Sequence, residues 1–167
     1  MDFLIFSDSH GRGSRICEIL DRQIHRPDAV FFAGDGLRDL DWIEFGQTPL
    51  YAVQGNCDWF SPVSEAQTEL LIPLARHTFL LTHGHTYGVK GGLGALSAHA
   101  ARVGADIVLF GHTHRAYCET VPSGTELGGV RLVRPMHLFN PGSIGADGSY
   151  GTLSIRGNEL LFSHGEL

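Results

Sequence analysis

Aspartates, histidines and one asparagine recur beside glycines in five short segments: Asp8-Ser9-His10, Gly34-Asp35, Gly55-Asn56-Cys57-Asp58, His83-Gly84-His85 and Gly111-His112-Thr113-His114. Carboxylate, amide and imidazole groups ligate divalent first-row cations, and small neighbours let the backbone approach what they hold. Each segment alone has an ordinary explanation. Asp8 or His10 can cap a turn, Asp35 can form an Asx-turn, and Asn56 can be a left-handed turn residue. Their conjunction points to a metal centre, and His-x-His written twice is not the spacing of a lone core histidine.

Each segment follows an apolar run: Phe3 to Phe6, Val30 to Ala33, Leu50 to Val53, Thr78 to Leu81 and Ile107 to Phe110. Strand ends of this kind gather along one edge of an α/β sheet, so the ligands can converge. In an extended segment the alternation would aim Asp8 and His10 to one side, and His83 and His85 likewise. Between the first two runs, Ile16, Ile19, Leu20 and Ile24 predict a helix capped by Ser14 and ending before Pro27. A short helix through Leu37, Leu40 and Ile43 then completes a βαβαβ rhythm of parallel strands.

From Glu69 the pattern changes. Glu69 to Ile72 and His77 to Thr82, separated by Pro73, predict a hairpin that starts a second sheet, and Gly91 to Val103 predicts a helix. Ala116 to Val121, Val130 to Val133, His137 to Phe139, Tyr150 to Ile155 and Leu160 to Ser163 read as strands, with Gly157-Asn158 as the last turn and Gly124 to Gly129 as a loop. The expected architecture is two sheets face to face with helices outside, in one domain over residues 1–167.

Composition narrows the function classes. The 167 residues carry a formal net charge of −6 and no Lys/Arg run, so no extended nucleic-acid binding is expected and any phosphate must be attracted locally. The opening Met1-Asp2 and its four-residue apolar segment read as neither signal peptide nor membrane span. Cys17, Cys57 and Cys118 form no Cys-x-x-Cys pair, which fits a reducing cytoplasm, with Cys17 as a core residue.

The series Asp8-x-His10, Gly34-Asp35, Gly55-Asn56, His83 and Gly111-His112-x-His114 resembles the calcineurin-like metallophosphoesterase superfamily. Gly55-Asn56-Cys57-Asp58, Thr82-His83-Gly84-His85 and Asn140-Pro141-Gly142-Ser143 look like its small single-domain bacterial and archaeal phosphodiesterase branch. The resemblance implies a four-layer α-β-β-α sandwich of two mixed sheets flanked by helices. It assigns Asp8, His10 and His114 to one cation, Asn56, His83 and His112 to another, and Asp35 to both. Mn²⁺ is the first expectation for the two ions, with Fe²⁺, Ni²⁺ or Zn²⁺ as substitutes.

The implied activity is hydrolysis of small phosphodiesters, nucleotide-derived ones included. Two cations about 3.5 to 4 Å apart can share a water and hold the resulting hydroxide for in-line attack on phosphorus. Alternative readings are a phosphomonoesterase, a dinucleoside-polyphosphate hydrolase, or a catalytically weak protein-binding scaffold like the retromer subunit of this fold. Small members resemble homo-oligomers.

Departures from the pattern matter. Cys57 stands where many members carry a histidine near the leaving group, which leaves the general acid unassigned. Gly34-Asp35-Gly36-Leu37-Arg38-Asp39 lacks the protein-phosphatase form. Gln54 replaces an arginine common in the small branch, and residues 144–149 contain no arginine.

His85 is a candidate to orient phosphate or protonate a leaving group, with a structural hydrogen bond as the alternative. Asp58 is read either as a partner fixing a histidine tautomer or as a turn acid. Trp59 and Phe60 could stack an aromatic group or simply pack, and Arg12 and Arg115 could bind phosphate or stand in solvent. His25, His77, His99, His137 and His164 lack paired spacing and read as incidental.

Overall fold

A computed structural model describes residues 1–59 and 67–167. Three parallel strands, β1 (Asp2–Phe6), β2 (Ala29–Phe32) and β3 (Leu50–Ala52), are joined by helices α1 (Ser14–Asp21) and α2 (Leu37–Leu40). The hairpin β4 (Glu69–Leu74) and β5 (His77–Thr82) opens a second sheet, followed by a 3₁₀ turn at His85–Tyr87, α3 (Gly94–Val103) and β6 (Ile107–Phe110). Then come β7 (Ala116–Val121), the short pair β8 (Glu126–Leu127) and β9 (Val130–Arg131), β10 (Met136–Pro141), β11 (Tyr150–Arg156) and β12 (Glu159–Gly165).

The first sheet runs β12-β11-β1-β2-β3 and the second β4-β5-β6-β10-β7; both are mixed. Alternation along β1 explains the layering. Phe3 and Ile5 face the second sheet, and Leu4 and Phe6 face α1. Between the sheets Phe31 stacks on Phe79 at 5.2 Å and 8°, with Phe3 edge-on to both rings. Outside the first sheet Ile16 and Ile19 of α1 cover Val30 and Phe32; outside the second, Leu96 and Ala100 of α3 cover Leu80, Val108 and Leu138. The central strands are apolar on both faces because both faces are covered, which gives the four-layer sandwich.

Several boundaries differ from the sequence reading. Helix α1 stops at Asp21, and Ile24 stands 92% exposed beyond it, because the chain must leave the helix before Pro27 on its way to β2. Ser14 lies inside the helix, whose N-cap is Gly13. Helix α3 starts at Gly94 rather than Gly91. The segment 124–129 contains β8, and the run from Val130 keeps only Val130–Arg131 as strand. Pro73 does not divide the hairpin; it sits within β4, an edge strand where its missing N–H is harmless, and the turn falls at Ala75 and Arg76.

Candidate metal centre

The C-terminal ends of β1, β2, β3, β5 and β6 open on one edge of the sandwich and deliver all seven expected ligands. The backbone does not stay extended there. Among the described residues seven non-glycine residues have positive φ, and five are Asp8, His10, Asp35, His112 and His114. Sharp left-handed turns, rather than strand alternation, bring these side chains together.

The donor atoms fall into two groups. Asp8 Oδ1 lies 3.1 Å from His114 Nε2, and the His10 and His114 Nε2 atoms lie 3.2 Å apart. In the other, His83 Nε2 is 3.3 Å from Asp35 Oδ2 and 3.2 Å from Asn56 Oδ1, and His112 completes a set with Asp35 and His83. Asp35 Oδ2 is also 4.0 Å from His10 Nε2, between the two groups. Ligands about 2.0 to 2.2 Å from a common ion stand about 3.0 to 3.5 Å from one another, so the spacing suits coordination.

Two features suit a cation. Asp8 is buried, and its Oδ1 accepts no hydrogen bond. His83 Nδ1 lies 2.7 Å from the Ala33 carbonyl and so donates to it, which turns Nε2 toward Asp35 Oδ2 and Asn56 Oδ1. An acceptor without a donor at this depth is costly, and a divalent ion satisfies every group at once.

The charges are shifted accordingly. Burial pushes the Asp8 carboxyl above its usual range, although His83 and the Ser7 hydroxyl pull the other way. Burial also works against the Asp35 anion but is outweighed by His83 and the Cys57 N–H, so this carboxyl is held well below its usual range. Burial, then the charges of His83 and Lys90, drives His112 down to about 4. His83 itself is raised, because Asp35 and Asp8 outweigh its burial.

His85 belongs to the cluster, its ring 5.3 Å from that of His83 and 6.1 Å from that of His112. It opens the 3₁₀ turn rather than extending the strand. Its Nδ1 has no hydrogen-bond partner, and burial followed by the His83 charge lowers its pKa.

Asp58 requires a correction, because it touches no histidine. Its Oδ2 accepts from the N–H groups of Asp35 and Gly55, each at 2.9 Å, and its Oδ1 from those of Gly36 at 2.8 Å and Leu37 at 3.0 Å. The loop after β3 turns its carboxylate into the Asp35 loop, so it holds backbone and lies off the reaction path. Gly55 packs against the Asp35 carboxylate so closely that a Cβ would collide with it.

Cys57 places its Sγ within reach of His10 and Asp35, but burial, a hydrogen bond with Asp35 and that carboxylate's charge push the thiol up to about 11, so it keeps its proton. Trp59 is 79% exposed, so it is not core packing. Phe60 lies outside the described residues. Arg12 and Arg115 are exposed beside ligand loops.

Sequence reasoning missed the residues that brace the loops. Ser7 donates to Asp8 Oδ2 at 2.5 Å, and the His112 N–H donates to the same oxygen at 3.1 Å. Asp39 accepts from Ser9 and from the Gly11 N–H. Asn140 donates to the Gly111 carbonyl and Thr113, and Ser143 donates to the Asp8 carbonyl. Arg15 donates to the carbonyls of Ile144 and Gly145, each at 2.9 Å. The available signal was a polar Asn-Pro-Gly-Ser run directly after an apolar strand.

Of the histidines without paired spacing, His77 bonds with Asp106, His137 with Thr120 and His164 with the Asn140 carbonyl, while His99 Nε2 lies 3.2 Å from Glu69 Oε2. A cavity of about 370 Å³ opens over His10, Asp35 and Cys57, with Arg38 on its wall. A larger one of about 630 Å³, around His77 and Arg134, sits at the opposite strand ends, away from the ligands.

Comparison with known proteins agrees with this geometry. Residues 1–158 match the model of the calcineurin-like phosphoesterase superfamily domain. The probable metallophosphoesterase YsnB of Bacillus subtilis is 33% identical over 144 residues, covering 86% of this chain and 75% of its own. A conserved Streptococcus pneumoniae protein described as a predicted phosphoesterase superposes with a TM-score of 0.72 at 26% identity, over 98% of this chain and 87% of that one. Vps29 of Entamoeba histolytica, crystallised with Zn²⁺, superposes with a TM-score of 0.74 at 22% identity, over 98% and 91% of the two chains.

Proposed function

We propose that this chain, which belongs to the calcineurin-like phosphoesterase superfamily, hydrolyses small phosphodiesters with the help of two divalent cations. The observation that carries the reading is the pair of donor groups sharing Asp35, in which the buried Asp8 Oδ1 accepts no hydrogen bond and His83 Nε2 faces Asp35 and Asn56. Asp8, His10 and His114 would hold one ion, Asn56, His83 and His112 the other, with Asp35 common to both. Imidazole, carboxylate and amide suit Mn²⁺ first, and Fe²⁺, Ni²⁺ or Zn²⁺ as substitutes. Bound there, such ions supply Lewis acidity and lower the pKa of a water for attack on phosphorus.

Gln54, at the position where the small branch often has arginine, donates to the Asp58 carbonyl, and Arg15 is engaged with the carbonyls after Ser143, so neither position offers a partner to the extra negative charge of a phosphomonoester. With His85 held neutral and Cys57 keeping its proton, no strong acid faces the leaving group, which suits substrates whose leaving group is already stable.

Scaffolding is the weaker reading, since the whole ligand set is present. Likeness to Vps29 at 22% identity bears on the fold alone. The test is to strip the protein with chelator, restore Mn²⁺, and compare bis-p-nitrophenyl phosphate with p-nitrophenyl phosphate, using Asp35→Asn as control. Metal-dependent, diester-selective turnover lost in the variant is expected. A monoester preference would overturn the diester reading, and full activity in Asp35→Asn would overturn its place between the ions.

A further inference from the structure

A third cavity, of about 430 Å³, adjoins the metal-ligand loop at Thr113. Its walls are continuous with the machinery already described. Thr113 lies between His112 and His114 and is fixed by Asn140, and Phe110 is the last residue of the strand that delivers the loop. The volume lies within the range of about 300 to 1,000 Å³ usual for small-molecule sites.

Two cations stand on it, Lys90 and Arg115. Both are exposed, and among the described residues neither side chain pairs with a carboxylate. Lys90 is the single lysine of a chain with net charge −6, and it sits in the Gly88-Val89-Lys90-Gly91-Gly92 loop. Unpaired cations beside an acidic metal centre offer a place for an anion.

The remaining wall is suited to a ring. Tyr117 lines the cavity with its hydroxyl tied to Glu119, and its ring and that of Phe110 form a T-shaped pair at 6.2 Å and 62°. Both ends of that side chain are therefore held. Val89 and Leu93 supply apolar surface alongside. Stacking on an aromatic side chain is how unpaired nucleobases are gripped.

We infer that this cavity is a substrate subsite that takes an aromatic group carrying a second anion, the chemistry of a nucleotide whose own phosphate stands apart from the one hydrolysed. The inference rests on the phosphodiesterase reading. It adds that the substrate is held outside the metals by Lys90, Arg115 and Tyr117.

The experiment compares the dinucleotides pApA and ApA, which differ only in a terminal 5′-phosphate, on the Mn²⁺-loaded protein. The wild type should prefer pApA at least tenfold in kcat/KM, and the double variant Lys90→Gln/Arg115→Gln should bring that ratio below about twofold. Using the ratio cancels any general loss of activity. Equal rates in the wild type, or an unchanged preference in the variant, would overturn the subsite. Where neither dinucleotide is turned over, calorimetric binding of adenosine 5′-monophosphate decides. At least fivefold weaker binding by the double variant supports the cavity, and equal or absent binding in both overturns it. Failure of bis-p-nitrophenyl phosphate hydrolysis would count against the phosphodiesterase reading alone.

Discussion

Replacing Asp58 with asparagine separates a backbone clamp from a catalytic partner. The carboxylate accepts four N–H groups, two on each oxygen, from Asp35, Gly36, Leu37 and Gly55. Asparagine keeps one acceptor oxygen and puts an NH₂ in place of the other, so two of the four donors then face a donor in either flip. At about 1.5 to 3 kcal/mol for each charge-assisted bond, the loss is about 3 to 6 kcal/mol. A chain of this size moves about 2 to 4 °C in Tm per kcal/mol, so the metal-free Asp58→Asn protein should melt roughly 6 to 24 °C below wild type. Thermal unfolding followed by circular dichroism in chelator measures this without activity entering. The clamped loop carries Asp35, so the variant should also need more Mn²⁺ for half-saturation. A metal-free Tm within about 2 °C of wild type, together with lost turnover, would refute the clamp and return Asp58 to the chemistry.

Metal loading should itself raise stability: at free Mn²⁺ of about 100 Kd, one site adds about 2.7 kcal/mol, or about 5 to 11 °C in Tm. Asp35→Asn should show less than half of the wild-type shift, and an equal shift would remove Asp35 from the ligand set. His137 is lowered by burial, with Asp106 opposing, so its neutral form contributes stability that is present above its unfolded pKa near 6.5 and lost as pH falls through the lower folded value. The stability advantage of wild type over His137→Gln should accordingly shrink between pH 7.5 and 5, and a pH-independent difference by denaturant unfolding would contradict this. Cys57→Ala should keep the larger part of its kcat/KM, since the thiol stays protonated beside Asp35; loss of turnover with metals still bound would give Cys57 a role in the reaction.

The sheets and the ligand types were legible because both are written locally. Phe3 to Phe6 and Ile107 to Phe110 are apolar on both faces, and glycine beside a polar residue marks where each run ends. Ile24 misled because it continues a helical spacing that the backbone does not follow, ending instead at Asp21. Asp58 misled for a different reason. Three of its four partners are main-chain N–H groups 21 to 23 residues earlier, which carry no side-chain signature at all. Asn140 and Ser143 were legible only as a motif, because what they brace is the main chain of the Gly111 and Asp8 loops.

That asymmetry has an energetic cause. Asp8, His10, Asp35, His112 and His114 are held at positive φ, at about 1 to 2 kcal/mol each for a residue with a Cβ. The protein's own hydrogen bonds oppose that strain, through Asp58 on the Asp35 loop, Ser7 and Ser143 on the Asp8 loop, Asp39 on the following turn, and Asn140 on the Gly111 loop. These residues cannot ligate from where they sit. They set how much of the metal's binding energy goes into affinity rather than into bending the chain, so metal affinity should be as sensitive to this bracing layer as to the ligands.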